Sequence, residues 1–270
     1  DARKPGFRRP ERDLTAGLAL RRLEDEAFDE VGATARLGVE RRLGPHWRAG
    51  LGWLVEITRL EDVGGEDTVE LTGAPAFARY DSSDDPLDPT EGARLRLAAT
   101  PIYARIDQEA APFLTLDATA ARYWALDEAR RFVLASRLRA AAIWADEIED
   151  VPLNRRLYSG GGGSVRGFEE RFVGPLDAAG DPDGGRSALE AALELRAPVY
   201  GDLGAALFVD AGSVSEAIAP DFAEGVQVGA GLGLRYRSPV GPIRVDLATP
   251  LNPRPEDDRF EIYFSIGQAF

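Results

Sequence analysis

One stretch of the sequence interrupts an otherwise regular pattern: Tyr158-Ser159-Gly160-Gly161-Gly162-Gly163-Ser164-Val165-Arg166-Gly167-Phe168. It lies in the longest segment without strand-like alternation, residues 146–186. A segment of this length in a strand-rich chain is usually functional or disordered. The glycines alone fit a flexible linker. An arginine flanked by apolar residues fits instead a loop tip that docks against the protein, and the stretch alone leaves both interpretations open.

On both sides of this stretch, apolar and polar residues alternate with period two, which is typical of β-strands. Trp47, Leu51, Trp53 and Ile57 share one parity, opposite Arg48, Gly50 and Glu56. The pattern predicts about twelve strands, roughly seven before the loop and five after it, and no helix. Most of these segments have about 9–15 residues, the length of membrane-spanning strands rather than of soluble ones.

The polar face of the predicted strands distinguishes two classes of β-protein. It carries arginine, glutamate, aspartate and glycine, which a dry sandwich core could not accept unpaired. The wet interior of an outer-membrane barrel accepts them, while alternate apolar residues face lipid. The pattern therefore favours an all-β, antiparallel transmembrane β-barrel over a soluble sandwich. Aromatic residues near the strand ends fit an interfacial girdle: Tyr103, Trp124, Trp144, Tyr200 and Tyr236.

Composition argues against several other functions. The net charge of −14 disfavours nucleic acid as a partner, and the absence of cysteine excludes disulfides and thiolate chemistry. A single histidine, His46, cannot build the usual zinc site. The acidic stretches 81–91 and 177–183 lack the ligand spacing of a calcium loop, and the acidic run 146–150 is interpreted as solvated. We therefore predict no metal, no cofactor and no enzymatic activity.

Several segments together resemble a known family. The Val-Arg-Gly-Phe motif at 165–168, Gly184-Gly185-Arg186, the segments 208–212 and 238–244, and a terminal strand ending in Phe270 resemble the barrel of the BamA/TamA superfamily of outer-membrane insertases, the "bacterial surface antigen" barrel domain. Tyr80-Asp81-Ser82, followed by Asp88-Pro89-Thr90-Glu91-Gly92, is most similar to the TamA branch.

The resemblance carries expectations about architecture. The family barrel has roughly sixteen strands, with this loop between the eleventh and twelfth. Residues 1–270 are accordingly interpreted as one outer-membrane β-barrel domain, truncated at its N-terminus. About four strands and the periplasmic POTRA domains are expected to be missing.

The resemblance also implies roles for individual residues. The loop motif Val165, Arg166, Gly167 and Phe168 would fold into the lumen as a latch. Arg166 would bind Glu194 and Asp210, whose strand parity directs both carboxylates inward. The alternative is a solvated loop arginine. The terminal strand matches an outer-membrane β-signal, with five apolar residues on one face: Phe260, Ile262, Phe264, Ile266 and Phe270.

The function implied is assembly or translocation of other outer-membrane proteins, without bond chemistry, in the Gram-negative outer membrane. The implied partners are unfolded barrel or autotransporter clients, outer-membrane lipid, and a TamB-like periplasmic protein anchored in the inner membrane and reached through POTRA domains. Four alternatives remain: a two-partner secretion transporter, a BamA-like core insertase, the barrel of a patatin-type esterase, and a diffusion porin.

Overall fold

The computed structural model describes residues 1–24, 28–62, 65–222, 225–239 and 241–270. Val240, part of the family-like segment 238–244, lies outside these residues. Within them, no helix is long and apolar enough to cross a membrane. A short 3-10 turn spans Leu153–Arg155. The described residues form fourteen strands: β1 Ala2–Lys4, β2 Arg12–Leu23, β3 Asp29–Arg42, β4 Trp47–Asp62, β5 Gly65–Gly73, β6 Ala76–Asp81, β7 Gly92–Ile106, β8 Glu109–Ala125, β9 Val133–Trp144, β10 Ser187–Tyr200, β11 Leu203–Ser215, β12 Gln227–Ser238, β13 Gly241–Pro250 and β14 Glu261–Ile266.

The strands follow one another in the sheet in chain order, except that β5 is followed by β7, while β6 pairs with β4 and β7. The all-β prediction is confirmed, as are the five strands after the loop. Fourteen strands replace the predicted twelve for two reasons. The short β1 was not predicted, and the single strand predicted near 69–80 is divided at Pro75, which has no N–H group for a strand ladder.

The described chain forms two compact units. The first comprises Asp1–Tyr80, Arg96–Ala118 and Ala141–Leu157, and the second Asp81–Leu95, Thr119–Ala140 and Tyr158–Phe270.

In the first unit, β4 shows the alternation most clearly, with its polarity reversed relative to a soluble protein. Trp53 and Ile57 are 60% and 61% exposed, whereas Glu56 is buried. The Glu56 carboxylate accepts a hydrogen bond from the Thr34 hydroxyl at 2.8 Å and pairs with Arg155. An exposed apolar face and a buried, paired charge are the distribution expected of a strand between lipid and a polar interior.

The second unit has the same reversed polarity on β10–β13. Leucines on these strands are about half exposed, while alternate charged residues are buried, among them Glu194, Asp210 and Asp246. Register pairing places the residues of one parity from all these strands on one side of the sheet. We call this charged side of β10–β14 the inner face.

The segment between β6 and β7, interpreted from sequence as turn chemistry, is a compact hydrogen-bonded loop in the second unit. One oxygen of the Asp84 carboxylate accepts hydrogen bonds from the backbone N–H groups of Thr90 (2.8 Å) and Glu91 (3.1 Å). The other accepts the Thr90 hydroxyl at 2.5 Å. Partial burial alone would raise the pKa of Asp84, but these hydrogen bonds outweigh it and lower the pKa to about 2.

This loop is predicted to loosen in acid. Because the pKa of Asp84 is lower when folded, its contribution to stability is complete above its ordinary pKa of 3.8 and is lost as the pH falls towards about 2. Pepsin cleavage near Leu87, normalised to an unfolded peptide at each pH, should therefore increase between pH 4 and pH 2. In Asp84→Asn, which cannot titrate at this position, cleavage should depend on pH much less than in the wild type. A titration in Asp84→Asn equal to that of the wild type would contradict this role.

Candidate functional site

The long connection between β9 and β10 carries the Val-Arg-Gly-Phe motif, and its part from Tyr158 belongs to the second unit. We call residues 158–168 the glycine loop. Val165, Arg166 and Phe168 are each at most 1% exposed. Val165 and Phe168 form a small apolar cluster with Val173. The loop tip therefore docks against the protein, and neither a free linker nor a solvated arginine describes it.

Arg166 is held by Asp210 and Glu194, the two acids predicted from the sequence. Its Nε and Nη2 donate to the two oxygens of Asp210 at 2.7 and 3.0 Å, a bidentate pair. Its Nη1 donates to Glu194 at 2.7 Å, and its backbone N–H to Asp210 at 3.1 Å. The guanidinium carbon lies 3.4 Å from the centre of the Phe208 ring.

A third acid, Asp246 on β13, was not named in advance. It accepts from Arg166 Nη1 at 3.1 Å and forms ion pairs with Arg235 and Arg244. The signal was present, because Asp246 lies between Val245 and Leu247 just as Glu194 lies between two leucines. Both acids alternate with apolar residues that face outward.

Further arginines bind the same carboxylates. Glu194 also accepts from Arg196 Nε at 2.7 Å and Arg235 Nη2 at 3.1 Å. Three buried carboxylates therefore share four arginines: Arg166, Arg196, Arg235 and Arg244. Buried ions persist when they are paired in this way, because removing one partner leaves another uncompensated.

The rest of the glycine loop is held through its backbone. Arg137 donates to the carbonyl oxygens of Gly163 (2.8 Å) and Ser164 (3.0 Å), and Arg244 to that of Gly162 (3.0 Å). At the start of the loop, the Ser159 hydroxyl donates to buried Glu190 at 2.7 Å. The three arginine contacts fix the path of residues 162–164 through main-chain atoms, which explains why small residues suffice there.

Glycines on the sheet make room for the loop. A Cβ at Gly229 of β12 would lie 1.8 Å from the Arg166 carbonyl oxygen, and one at Gly212 of β11 would lie 2.6 Å from Val165. Gly167 itself has φ +102°, and a Cβ there would meet the Thr249 backbone at 3.0 Å. The loop can therefore approach the sheet this closely only where side chains are absent.

The terminal strand β14 also touches the loop. Ile262, Phe264 and Ile266 are exposed on its outer side, as expected for the predicted β-signal face, and Phe260 is exposed just before the strand. Tyr263, on the opposite side, donates its hydroxyl hydrogen to the Phe168 carbonyl at 2.7 Å and accepts from Gly167 N–H at 3.0 Å. Tyr263 was not predicted from the sequence.

Phe270 does not continue the outer face, so that part of the prediction was wrong. After β14 the chain turns at Gly267, which has φ +92°. Phe270 then packs partly buried against Ala121, Tyr123 and Ala135. The physical reason is that strand parity cannot be extended through a residue in the left-handed conformation.

The described residues contain no group of three or more His, Asp or Glu side chains arranged to hold a metal ion. The charged groups of the site instead form ion pairs with one another and hydrogen bonds to the loop backbone. The arrangement suits mechanical fastening of a loop to a sheet.

Comparison with known proteins relates this site to a family. Residues 3–270 match the model of the Omp85 superfamily domain. The outer membrane protein assembly factor BamA of Nitratidesulfovibrio vulgaris (strain Hildenborough) is 35% identical over 146 residues, and that of Neisseria meningitidis serogroup B (strain MC58) is 29% identical over 155 residues. These alignments cover 51% and 45% of this chain, but only 18% and 19% of the relatives.

Solved structures show the same fold. BamA from Haemophilus ducreyi lacking POTRA domains 1–3 matches with a TM-score of 0.80 at 18% identity, covering 96% of this chain and 60% of that one. CdiB from Acinetobacter baumannii matches with a TM-score of 0.59 at 16% identity, covering 94% and 47%. The chain therefore has the β-barrel fold of these proteins.

The close approach of the loop to Gly229 leads to a first prediction for the site. Gly229→Ala should push the loop away from the sheet and lower the free energy of unfolding by about 1–3 kcal/mol, the usual cost of overpacking. Trypsin should then cut at Arg166 in the folded protein. Gly163→Ala is the matched control, since a Cβ at Gly163 meets nothing within 4 Å. Equal trypsin resistance in the two variants would contradict the proposed fit.

The arginine gives a second prediction. Arg166→Ala removes the bidentate partner of buried Asp210 and one cation each from Glu194 and Asp246, which should lower the free energy of unfolding by about 3–5 kcal/mol. Denaturant titration followed by tryptophan fluorescence measures this change. The control is Arg171→Ala, in the same connection, where the guanidinium lies over the Tyr158 ring. A loss in Arg166→Ala no larger than in this control would show that the ion pairs contribute little.

Proposed function

The chain belongs to the Omp85 superfamily and is an outer-membrane β-barrel protein of a Gram-negative cell, and we propose that it assembles or translocates other proteins in that membrane. The observation that carries this proposal is the seated loop. Arg166 is bound by acids from three strands, and the next residue contacts the terminal strand. A loop fastened across several strands can couple their positions.

The proposed mechanism uses main-chain pairing. A client in an extended conformation would add a strand to a sheet edge, a mode in which backbone hydrogen bonds supply affinity without a fixed client sequence. β14, at one end of the strand order, is the candidate strand because it pairs with β13 over only six residues. Its exposed Ile262 and Phe264 would remain in contact with lipid. No bond is made or broken in this mechanism.

The narrower assignment is to the TamA branch, with autotransporter or barrel clients and a TamB-like periplasmic partner. It is supported by the turn motif at residues 80–92, and the compact hydrogen bonding around Asp84 gives that motif a structural role. The relatives described above carry the name BamA instead. The proposed function therefore includes a BamA-like role in general barrel assembly.

A second candidate function is export of a polypeptide, as in two-partner secretion. It is favoured by the likeness to CdiB, which covers nearly all of this chain. The two functions differ in the fate of the client. An assembled client ends as a folded barrel in the membrane, whereas an exported client crosses it.

The test uses the full protein in liposomes with an unfolded outer-membrane barrel as the client. If it is an assembly factor, the folded client, seen by its heat-modifiable migration on gels, should form at least several-fold faster than in protein-free liposomes. Arg166→Ala should abolish most of this acceleration, and Arg171→Ala should retain it. Client found protected inside the liposomes would support export. Neither folding nor protection, together with passage of small solutes, would refute both functions and favour a porin.

A further inference from the structure

The terminal strand is the least supported strand of the second unit. β14 has six residues, whereas β10–β13 have 10 to 14. Its pairing with β13 runs only from Ile243↔Ile266 to Ala248↔Glu261. Fewer ladder hydrogen bonds hold this strand, so contacts from elsewhere weigh more in fixing its position.

Tyr263 provides such a contact at the middle of β14. Its hydroxyl bonds the backbones of two consecutive loop residues, accepting from Gly167 N–H and donating to the Phe168 carbonyl. Its ring also packs against the glycine run, because a Cβ at Gly162 would lie 3.0 Å from a carbon of that ring. The side chain therefore fits the loop only in its seated position.

The register connects this contact to Arg166. Tyr263 lies directly opposite Asp246 of β13, and Asp246 accepts a hydrogen bond from Arg166. Two adjacent loop residues, Arg166 and Gly167, thus hold two residues that face each other across the β13–β14 pair. The loop therefore holds β13 and β14 together through side chains on the inner face, in addition to the hydrogen bonds of the strand ladder.

The end of β14 is held separately. Gln268 N–H donates to the Leu87 carbonyl at 3.2 Å, and its side chain donates to Asp88 at 2.8 Å. Gly267 N–H donates to the Pro242 carbonyl at 2.7 Å. These contacts do not involve the glycine loop, so loss of the loop should loosen the middle of the strand and leave its C-terminal end in place.

We propose that Tyr263 is a positioning residue through which the seated glycine loop holds β14 against β13, so that release of the loop frees the middle of the terminal strand. The link itself depends on the contacts alone. Its consequence for client handling rests on the function proposed above, because β14 is the candidate strand for client pairing.

The test is amide hydrogen exchange of the intact protein in detergent, without client. Tyr263→Phe removes the hydroxyl and keeps the ring. Gly267 N–H donates to β13, so the amides of Tyr263 and Ser265 in β14 also point to β13. Exchange of the Tyr263 and Ser265 amides should become about tenfold faster, the effect of losing one or two net hydrogen bonds, with no change at Gly267 or in β10–β12. Tyr236→Phe, an exposed tyrosine on β12, is the matched control and should change nothing.

Arg166→Ala distinguishes a shared link from two independent contacts. It should accelerate the same β14 amides, and adding Tyr263→Phe should produce no further acceleration, because both act through the seated loop. Arg166→Lys serves if Arg166→Ala does not fold. Unchanged exchange in Tyr263→Phe, or additive effects in the double variant, would overturn the proposal. If exchange behaves as expected but both variants assemble clients at the wild-type rate, the link stands and the proposed function of the loop fails.

Discussion

A guanidinium removed from water must be paired, and this requirement governs the second unit. Arg166 is 1% exposed, so its hydrogen bonds to Asp210, Glu194 and Asp246 replace hydration that it has lost. The acids are equally buried and need cations in return, which Arg196, Arg235 and Arg244 supply. Loop, sheet face and charge network are therefore one interdependent set of contacts.

That set imposes a steric condition on the sheet. Charged side chains can meet the loop only if the loop backbone lies close to the strands, and this requires bare backbone at Gly212 and Gly229. In the register, Gly229 lies opposite Asp210 and Gly231 opposite Phe208. Phe208 and Asp210, two large inward side chains of β11, are thus each matched by a glycine on β12. The glycines on the inward-facing side of β12 therefore leave space for the glycine loop of the same chain.

Much of this could be predicted from the sequence, because period-two alternation survives wherever one face meets lipid. The five strands after the loop, the inward direction of Glu194 and Asp210, and the outward direction of Ile262 and Phe264 all follow from parity. Parity fails where the backbone leaves the extended conformation. It therefore missed the division at Pro75 and the inward turn at Gly267 that buries Phe270. Tyr263 was missed for another reason: its partners are backbone atoms, which leave no signature in side-chain type.

The three acids that bind Arg166 come from strands at very different distances along the chain. Glu194 is 28 residues from Arg166, Asp210 is 44, and Asp246 is 80. Contacts between distant residues form late, because the entropy of closing a long loop is lost before the contact is gained. The arginine can acquire its full set of partners only after β13 has paired with β12. During biogenesis of the protein itself, burial of Arg166 thus reports that the last strands have been placed in order.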